Sequence, residues 1–366
     1  VDNNVTAREQ GRIRSHGGNI RAAAMRYGIA EKDFVDFSAS VNPLGPSPAA
    51  QRAARKACDL IGQYPDPDMA VLRTAIARYY GIKQEQVVCG NGSNELIHLI
   101  PRIYRPKKVL IPEPTFTEYA RSVQEAGGEV VPFPLREQNG FRIDPLDMSF
   151  ALKGMDMAFL CNPNNPTGAL IYKAEMLEIV KAACENGVRL VVDEAFMDFV
   201  ASESLVKEAV QSSHLIVLRE FSKFFGMPGL RVGYAVADSA TALTLRHNQE
   251  PWTISAPSEC AAIAALTDWG YTAKTRRLVV RERDRLLNSL RLIHGVEAFP
   301  SPANFIFLKI TGIDSHLLVD KLGRRGLLVR DCSTFPGLDN RYVRISVRTW
   351  WQNRRLVKAL REILIA

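Results

Sequence analysis

Short apolar runs, set between mixed stretches of helical periodicity, recur along the chain from about residue 68. Seven of them predict strands, at 87–91, 108–114, 129–135, 157–162, 189–194, 215–220 and 231–237. Runs such as Lys108-Val-Leu-Ile and Arg189-Leu-Val-Val are nearly unbroken, as in strands buried on both faces. Helical patterns at 94–104 and 173–186 lie between strands, and such alternation predicts a mostly parallel sheet covered by helices. The last two strands are joined by too little chain for a crossover helix, so one of them should run antiparallel.

Beyond Pro257 the pattern changes. A long helical stretch at 259–294 predicts two or more helices, followed by shorter strands at 305–310, 327–330 and 342–347 and a helix over 352–365. The expected architecture is α/β. A mostly parallel seven-stranded sheet forms a large domain over 50–270, and a smaller α+β domain takes residues 271–366 with the arm 1–49.

Composition narrows the class. With 46% hydrophobic and 23% charged residues over 366 positions, the chain is globular rather than disordered or fibrous. No apolar run nears the ~20 residues of a membrane helix. The polar first fourteen residues do not read as a secretory leader. Six dispersed cysteines form no metal-binding spacing and fit a reducing cytoplasm, so no metal is expected. The net charge of +8 is scattered without a basic block, so neither nucleic acid nor membrane is an expected partner.

In open α/β sheets ligands bind beyond the carboxyl ends of the strands. The first strand leads into Gly90-Asn-Gly-Ser-Asn-Glu95, a turn able to present helix N–H groups to an anion. The fourth ends in Asn162-Pro-Asn-Asn-Pro-Thr-Gly168, where the Asn165 amide can donate to a phenolate oxygen. The fifth ends at Asp193, a carboxylate suited to a protonated pyridine nitrogen. After the sixth come Ser222 and Lys223 and then Arg231: a lysine able to form a Schiff base, flanked by a hydroxyl and a guanidinium suited to phosphate.

In this order the four motifs resemble the class I/II aminotransferase family, pyridoxal 5'-phosphate enzymes of fold type I. The resemblance covers nearly the whole chain and is nearest the histidinol-phosphate aminotransferase branch. It implies Lys223 as the cofactor's lysine and proton shuttle, Asp193 on the pyridine nitrogen and Asn165 on the ring oxygen. It implies Ser93, Asn94, Ser222 and Arg231 on the phosphate, and Phe116 stacked on the ring in preference to Tyr119. Tyr64 resembles the tyrosine that reaches the partner's cofactor phosphate, which implies a homodimer. Phe196 stands where the family often has a tyrosine, and Ser255 lies where asparagine is usual.

Three further segments resemble the L-threonine-O-3-phosphate decarboxylases of cobalamin synthesis: 15–19 with 36–45, 329–338, and 342–349. The resemblance implies a phosphorylated amino-acid substrate held by His16, Asn42, Arg330, Arg344 and Arg348. Arg344 and Arg348, four apart on one strand, should face the same side. Which arginine takes phosphate and which carboxylate is left open. Serine phosphate as substrate, or histidinol-phosphate transamination, are the alternatives.

Overall fold

The computed structural model describes residues 17–365. Its strands are β1 (Val35–Asp36), β2 (Val87–Gly90), β3 (Lys108–Glu113), β4 (Glu129–Pro134), β5 (Met157–Cys161), β6 (Arg189–Asp193), β7 (Leu215–Glu220), β8 (Gly233–Val236), β9 (Val296–Phe299), β10 (Phe305–Ile310), β11 (Leu327–Leu328), β12 (Arg330–Asp331) and β13 (Tyr342–Ser346).

The seven expected strands form one sheet in the order β2-β8-β7-β6-β5-β3-β4. β8 runs antiparallel to both β7 and β2, as the short connection between β7 and β8 required. The other pairings are parallel. Alternation along the strands shows why the runs are so apolar. On β7, Leu215 and Val217 pack into one hydrophobic cluster while Ile216 and Leu218 pack into the cluster on the opposite face. Both faces are therefore covered, and each fully buried aliphatic side chain contributes roughly 1.5–3 kcal/mol.

β12, β13, β10 and β9 form an antiparallel four-stranded sheet. Residues of the helices Trp269–Arg291, Ser315–Gly323 and Trp350–Ile365 share its hydrophobic cluster. The stretch 259–294 breaks into Ala256–Thr267 and Trp269–Arg291 at Asp268, whose side chain accepts the Tyr271 N–H at 3.2 Å. β9 and the two-residue β1 were not expected. β1 pairs parallel with β11 and draws the N-terminal segment against the smaller sheet. β13 stops at Ser346, so Arg348 stands in the connection to the last helix rather than on a strand with Arg344.

The carboxyl ends of β5, β6 and β7 and the β12–β13 pair converge on one cleft. Among the described residues no helix is long and apolar enough to span a membrane.

Candidate active site

The cleft has a volume of about 330 Å3, and its floor is Asp193. This carboxylate is buried at the end of β6. The Tyr119 hydroxyl donates to Oδ2 at 2.7 Å and the Ala195 N–H to Oδ1 at 2.9 Å. Burial pushes its carboxyl up to about 6, helped by nearby Glu220. The two hydrogen bonds and Lys223 pull the other way. An acid raised in the folded state binds more protons there than when unfolded. Stability of the cofactor-free chain should therefore fall as pH climbs from about 4 to about 6, with the full cost present above that window. Asp193→Asn is expected to stabilise the cofactor-free protein at pH 7–8 by on the order of 2–3 kcal/mol, with no gain below pH 4. Denaturant melts across pH test this, and a gain of the same size at every pH would contradict it.

Lys223, the one lysine lining the cleft, follows β7. Its Nζ lies 3.4 Å from Glu220 Oε1 and 5.9 Å from the Phe196 ring centroid. Phe196 packs edge-on against Phe305 and brings no hydroxyl.

Asn165 is held by the loop built from its own motif. Asn162 bonds the Ile171 backbone through both side-chain atoms at 2.9 Å. Asn164 donates to Pro114 O at 3.0 Å and Thr167 Oγ1 at 2.9 Å, and accepts from Thr115. Arg344 donates to Asn165 Oδ1, which leaves the Asn165 Nδ2 to face the cleft as a donor.

At the other end the helix Ser93–Tyr104 begins against the cleft, with the unpaired N–H groups of a helix start. Gly92 has φ +75°, and a Cβ there would meet Arg231 Nη2 at 2.4 Å. A Cβ on Gly233 would meet Ser93 N at 2.2 Å. Glycines at both places let Arg231 and β8 close on the helix start. Arg231 donates to Ser222 Oγ at 3.2 Å. Buried Asn94 Oδ1 has no hydrogen-bond partner among the described residues; turning the carboxamide over would aim Nδ2 there instead. Two hydroxyls, a guanidinium, a helix start and an unsatisfied amide fit a phosphate. With Asp193, Asn165 and Lys223 lining the same cleft, the residues present fit pyridoxal phosphate. Phe116 lines the same cleft, edge-on to Tyr119. Tyr119 is itself fully buried, stacked on Phe159 and committed to Asp193.

The substrate side is less uniform. Arg330 and Arg344 sit opposite each other in the β12–β13 register, are buried, and both line the cleft. Arg344 donates to Ser38 O at 2.8 Å, and among the described residues it has no carboxylate partner. Burial pulls its guanidinium down to about 10, and burial lowers Arg330 as well. Asn42 is not brought to the cleft. Its Nδ2 donates to Phe224 O at 2.9 Å and Thr275 Oγ1 at 3.0 Å, and its Oδ1 accepts the Leu44 N–H. It is tied into the frame behind Lys223, whose carbonyl accepts the Asn42 N–H at 2.8 Å. Arg348 also lies off the cleft lining, with a buried Nε that has no partner among the described residues. Tyr64 is 83% exposed and lies against Trp252, away from the cleft of its own chain. The Ser255 hydroxyl shares a hydrogen bond with the Ser258 hydroxyl at 2.9 Å. His16 lies outside the described residues.

Some cleft residues were not singled out from the sequence. Ser38, Ala39 and Ser40 stand in the segment that contributed Asn42, with the Ser38 hydroxyl donating to Asp36 at 2.6 Å and the Ser40 hydroxyl accepting from Ser346 at 3.2 Å. Glu220 faces Lys223 from three residues earlier in the same motif, and its acidic type inside an anion-binding pattern was the available signal.

Comparisons with known proteins show the family. The family described as aminotransferase class I and II matches residues 32–360. A threonine-phosphate decarboxylase of Salmonella typhimurium is 35% identical over 96% of this chain and 96% of that protein. Histidinol-phosphate aminotransferase 2 of Archaeoglobus fulgidus is 38% identical over 91% of this chain and 94% of that protein. The crystal structure of the histidinol-phosphate aminotransferase from Clostridium acetobutylicum superposes with a TM-score of 0.85 at 32% identity, covering 90% of this chain and 98% of that one. The chain belongs to the class I and II aminotransferase family, enzymes of fold type I whose cofactor is pyridoxal 5'-phosphate.

Proposed function

We propose that the chain decarboxylates L-threonine O-3-phosphate to (R)-1-amino-2-propanol O-2-phosphate, a step of cobalamin synthesis. The observation that carries this reading is a small cleft with two buried guanidiniums, Arg330 and Arg344, at one wall. Ligand pockets run from about 300 to 1,000 Å3, and this one, at the low end, must take both cofactor and substrate. A compact molecule carrying both a carboxylate and a phosphate suits it better than one bearing an imidazole.

When bound, pyridoxal phosphate supplies an electron sink for a bond breaking at the substrate's α-carbon. Asp193 keeps a proton on the pyridine nitrogen. Asn165 would hold the ring oxygen without a hydroxyl from Phe196, and Phe116 would pack against the ring. Ser93, Asn94, Ser222 and Arg231 hold the cofactor's phosphate. Arg344 and Arg330 would bind the substrate's anions and so orient its carboxylate for loss. Lys223 Nζ would hold the proton that takes the place of the carboxylate, lost as carbon dioxide, on the α-carbon. Serine phosphate, one methyl smaller, would be discriminated by only ~1–3 kcal/mol. His16 and Arg348 belong to this reading as further contacts to the substrate's anions. Tyr64, exposed on its own chain, is assigned to the cofactor phosphate of a partner subunit in a homodimer. Free cysteines support a cytoplasmic setting.

Histidinol-phosphate transamination is the second reading, because a relative of that name is as similar as the decarboxylase. The test is a product assay with pyridoxal phosphate and L-threonine phosphate and no keto acid. Stoichiometric carbon dioxide and aminopropanol phosphate are expected. Glutamate formed from histidinol phosphate with an amine acceptor present, and no carbon dioxide, would move the assignment to the aminotransferase.

A further inference from the structure

Glu220 is a carboxylate in a place built for an anion. It is 7% exposed, at the end of β7 and beside the start of the helix Ser93–Tyr104. Its Oε2 accepts from Ser93 Oγ at 3.3 Å and from Ser222 Oγ at 3.2 Å. Its Oε1 lies 3.4 Å from Lys223 Nζ. Arg231 reaches the same Ser222 hydroxyl at 3.2 Å. The side chain therefore occupies two hydroxyl donors of the phosphate cradle and the ammonium of the cofactor's lysine together. A helix start favours negative charge, which is why an acidic residue is tolerated there.

We propose that Glu220 is a resident anion of the phosphate cradle, which competes with the cofactor's phosphate and so sets how tightly the cofactor is held. A phosphate monoester carries about −1.5 to −2 charge at pH 7. Brought onto the Ser93 and Ser222 hydroxyls, it meets a carboxylate that already uses them, with Asp193 adding a second negative charge farther along the cleft. Like charges this close oppose each other strongly in a buried site. In the cofactor-free chain Glu220 satisfies the donors and balances Lys223. In the loaded chain it must surrender the hydroxyls. The cofactor is held less tightly than its donor set would permit, and exchanges more readily.

The experiment compares the full chain with Glu220→Gln, titrating each with pyridoxal phosphate and with pyridoxal, which has the aldehyde and ring but no phosphate. The expected result is about a tenfold or greater gain in pyridoxal phosphate affinity, with pyridoxal affinity changed by no more than about twofold. Equal shifts for both ligands would overturn the proposal, because Glu220 would then act on Lys223 alone. An unchanged or weakened affinity for pyridoxal phosphate would overturn it too. Glu220→Ser, which removes the charge and puts a hydroxyl in its place, is read the same way. The unaltered chain gives an independent measurement. Inorganic phosphate should leave the melting temperature of its cofactor-free form unchanged, since the cradle is already filled, and a phosphate-dependent rise would refute the idea.

Discussion

Lys223→Ala is expected to lose the protein-bound visible absorbance of the cofactor and to slow turnover by at least ~10²–10⁴-fold, the span usual for losing a positioned proton donor. The size of the effect follows from the lining of the cleft. Lys223 is the one lysine there, and Asp193 and Glu220, the carboxylates nearest it, have no amine to offer. Phe196, the ring nearest the lysine across the site, has no group that could take a proton. The substitution should leave the fold intact, because the side chain is partly exposed and packs into no core cluster. Absorbance spectra with added pyridoxal phosphate, read beside the melting curve, test the assignment. A variant that keeps the wild-type visible spectrum would remove Lys223 from its role.

Arg219→Met is expected to destabilise the chain by about 3–5 kcal/mol, the usual cost of stripping one partner from a buried ion pair. Arg219 lies on β7 and is 1% exposed. Its Nη1 meets Glu194 Oε2 at 2.8 Å, its Nη2 meets Asp198, and its guanidinium lies over the Tyr80 ring. Without it Glu194 keeps the Ser204 hydroxyl and the Leu205 N–H, each at 2.7 Å, but Asp198 loses its charge partner. Adding Glu194→Gln and Asp198→Asn should recover most of the loss, since the stranded charges go with the partner that balanced them. Chemical denaturation of the single and triple variants measures both. A single variant within 1 kcal/mol of wild type would show that water reaches the two carboxylates after all. Glu194 follows Asp193 directly, so the triad also braces the strand end that carries the cleft's floor.

The large sheet was legible because its strands are buried on both faces, and such runs are hard to mistake. The expected 108–114 ends one residue from Lys108–Glu113, and 215–220 coincides with Leu215–Glu220. The smaller sheet was harder. β9 is short and only partly buried, and β1 is two residues long and exists because β11 pairs with it. On the cofactor side Ser93, Asn94, Phe116, Asn165, Asp193, Lys223 and Arg231 all line the cleft, since their motifs sit at strand ends, while Ser222 stands behind them on Arg231 and Tyr64 lies away on the surface. The substrate side depends on where distant segments fold back, which no local pattern states. Asn42 looked like a donor to substrate and is a rivet for the Lys223 loop. Arg348 was placed with Arg344 by counting along a strand that ends at Ser346. Glu220 escaped notice because the residues beside it, serine and lysine, explained the motif without it.

The Ser38–Arg344 contact has a consequence for the timing of biosynthesis. Arg344 Nη2 donates to Ser38 O, and the Ser346 hydroxyl to Phe37 O, across 306 and 309 residues of chain. Ribosomes add ~5–20 residues per second, so the two halves of this wall emerge roughly 15–60 s apart. The large sheet can form first from neighbouring segments, while the N-terminal segment waits for a partner not yet made. The strand ends that carry Asp193 and Lys223 can form on the nascent polypeptide, whereas the contacts of Arg344 to Ser38 and Asn165 are made only after the last strand has left the ribosome.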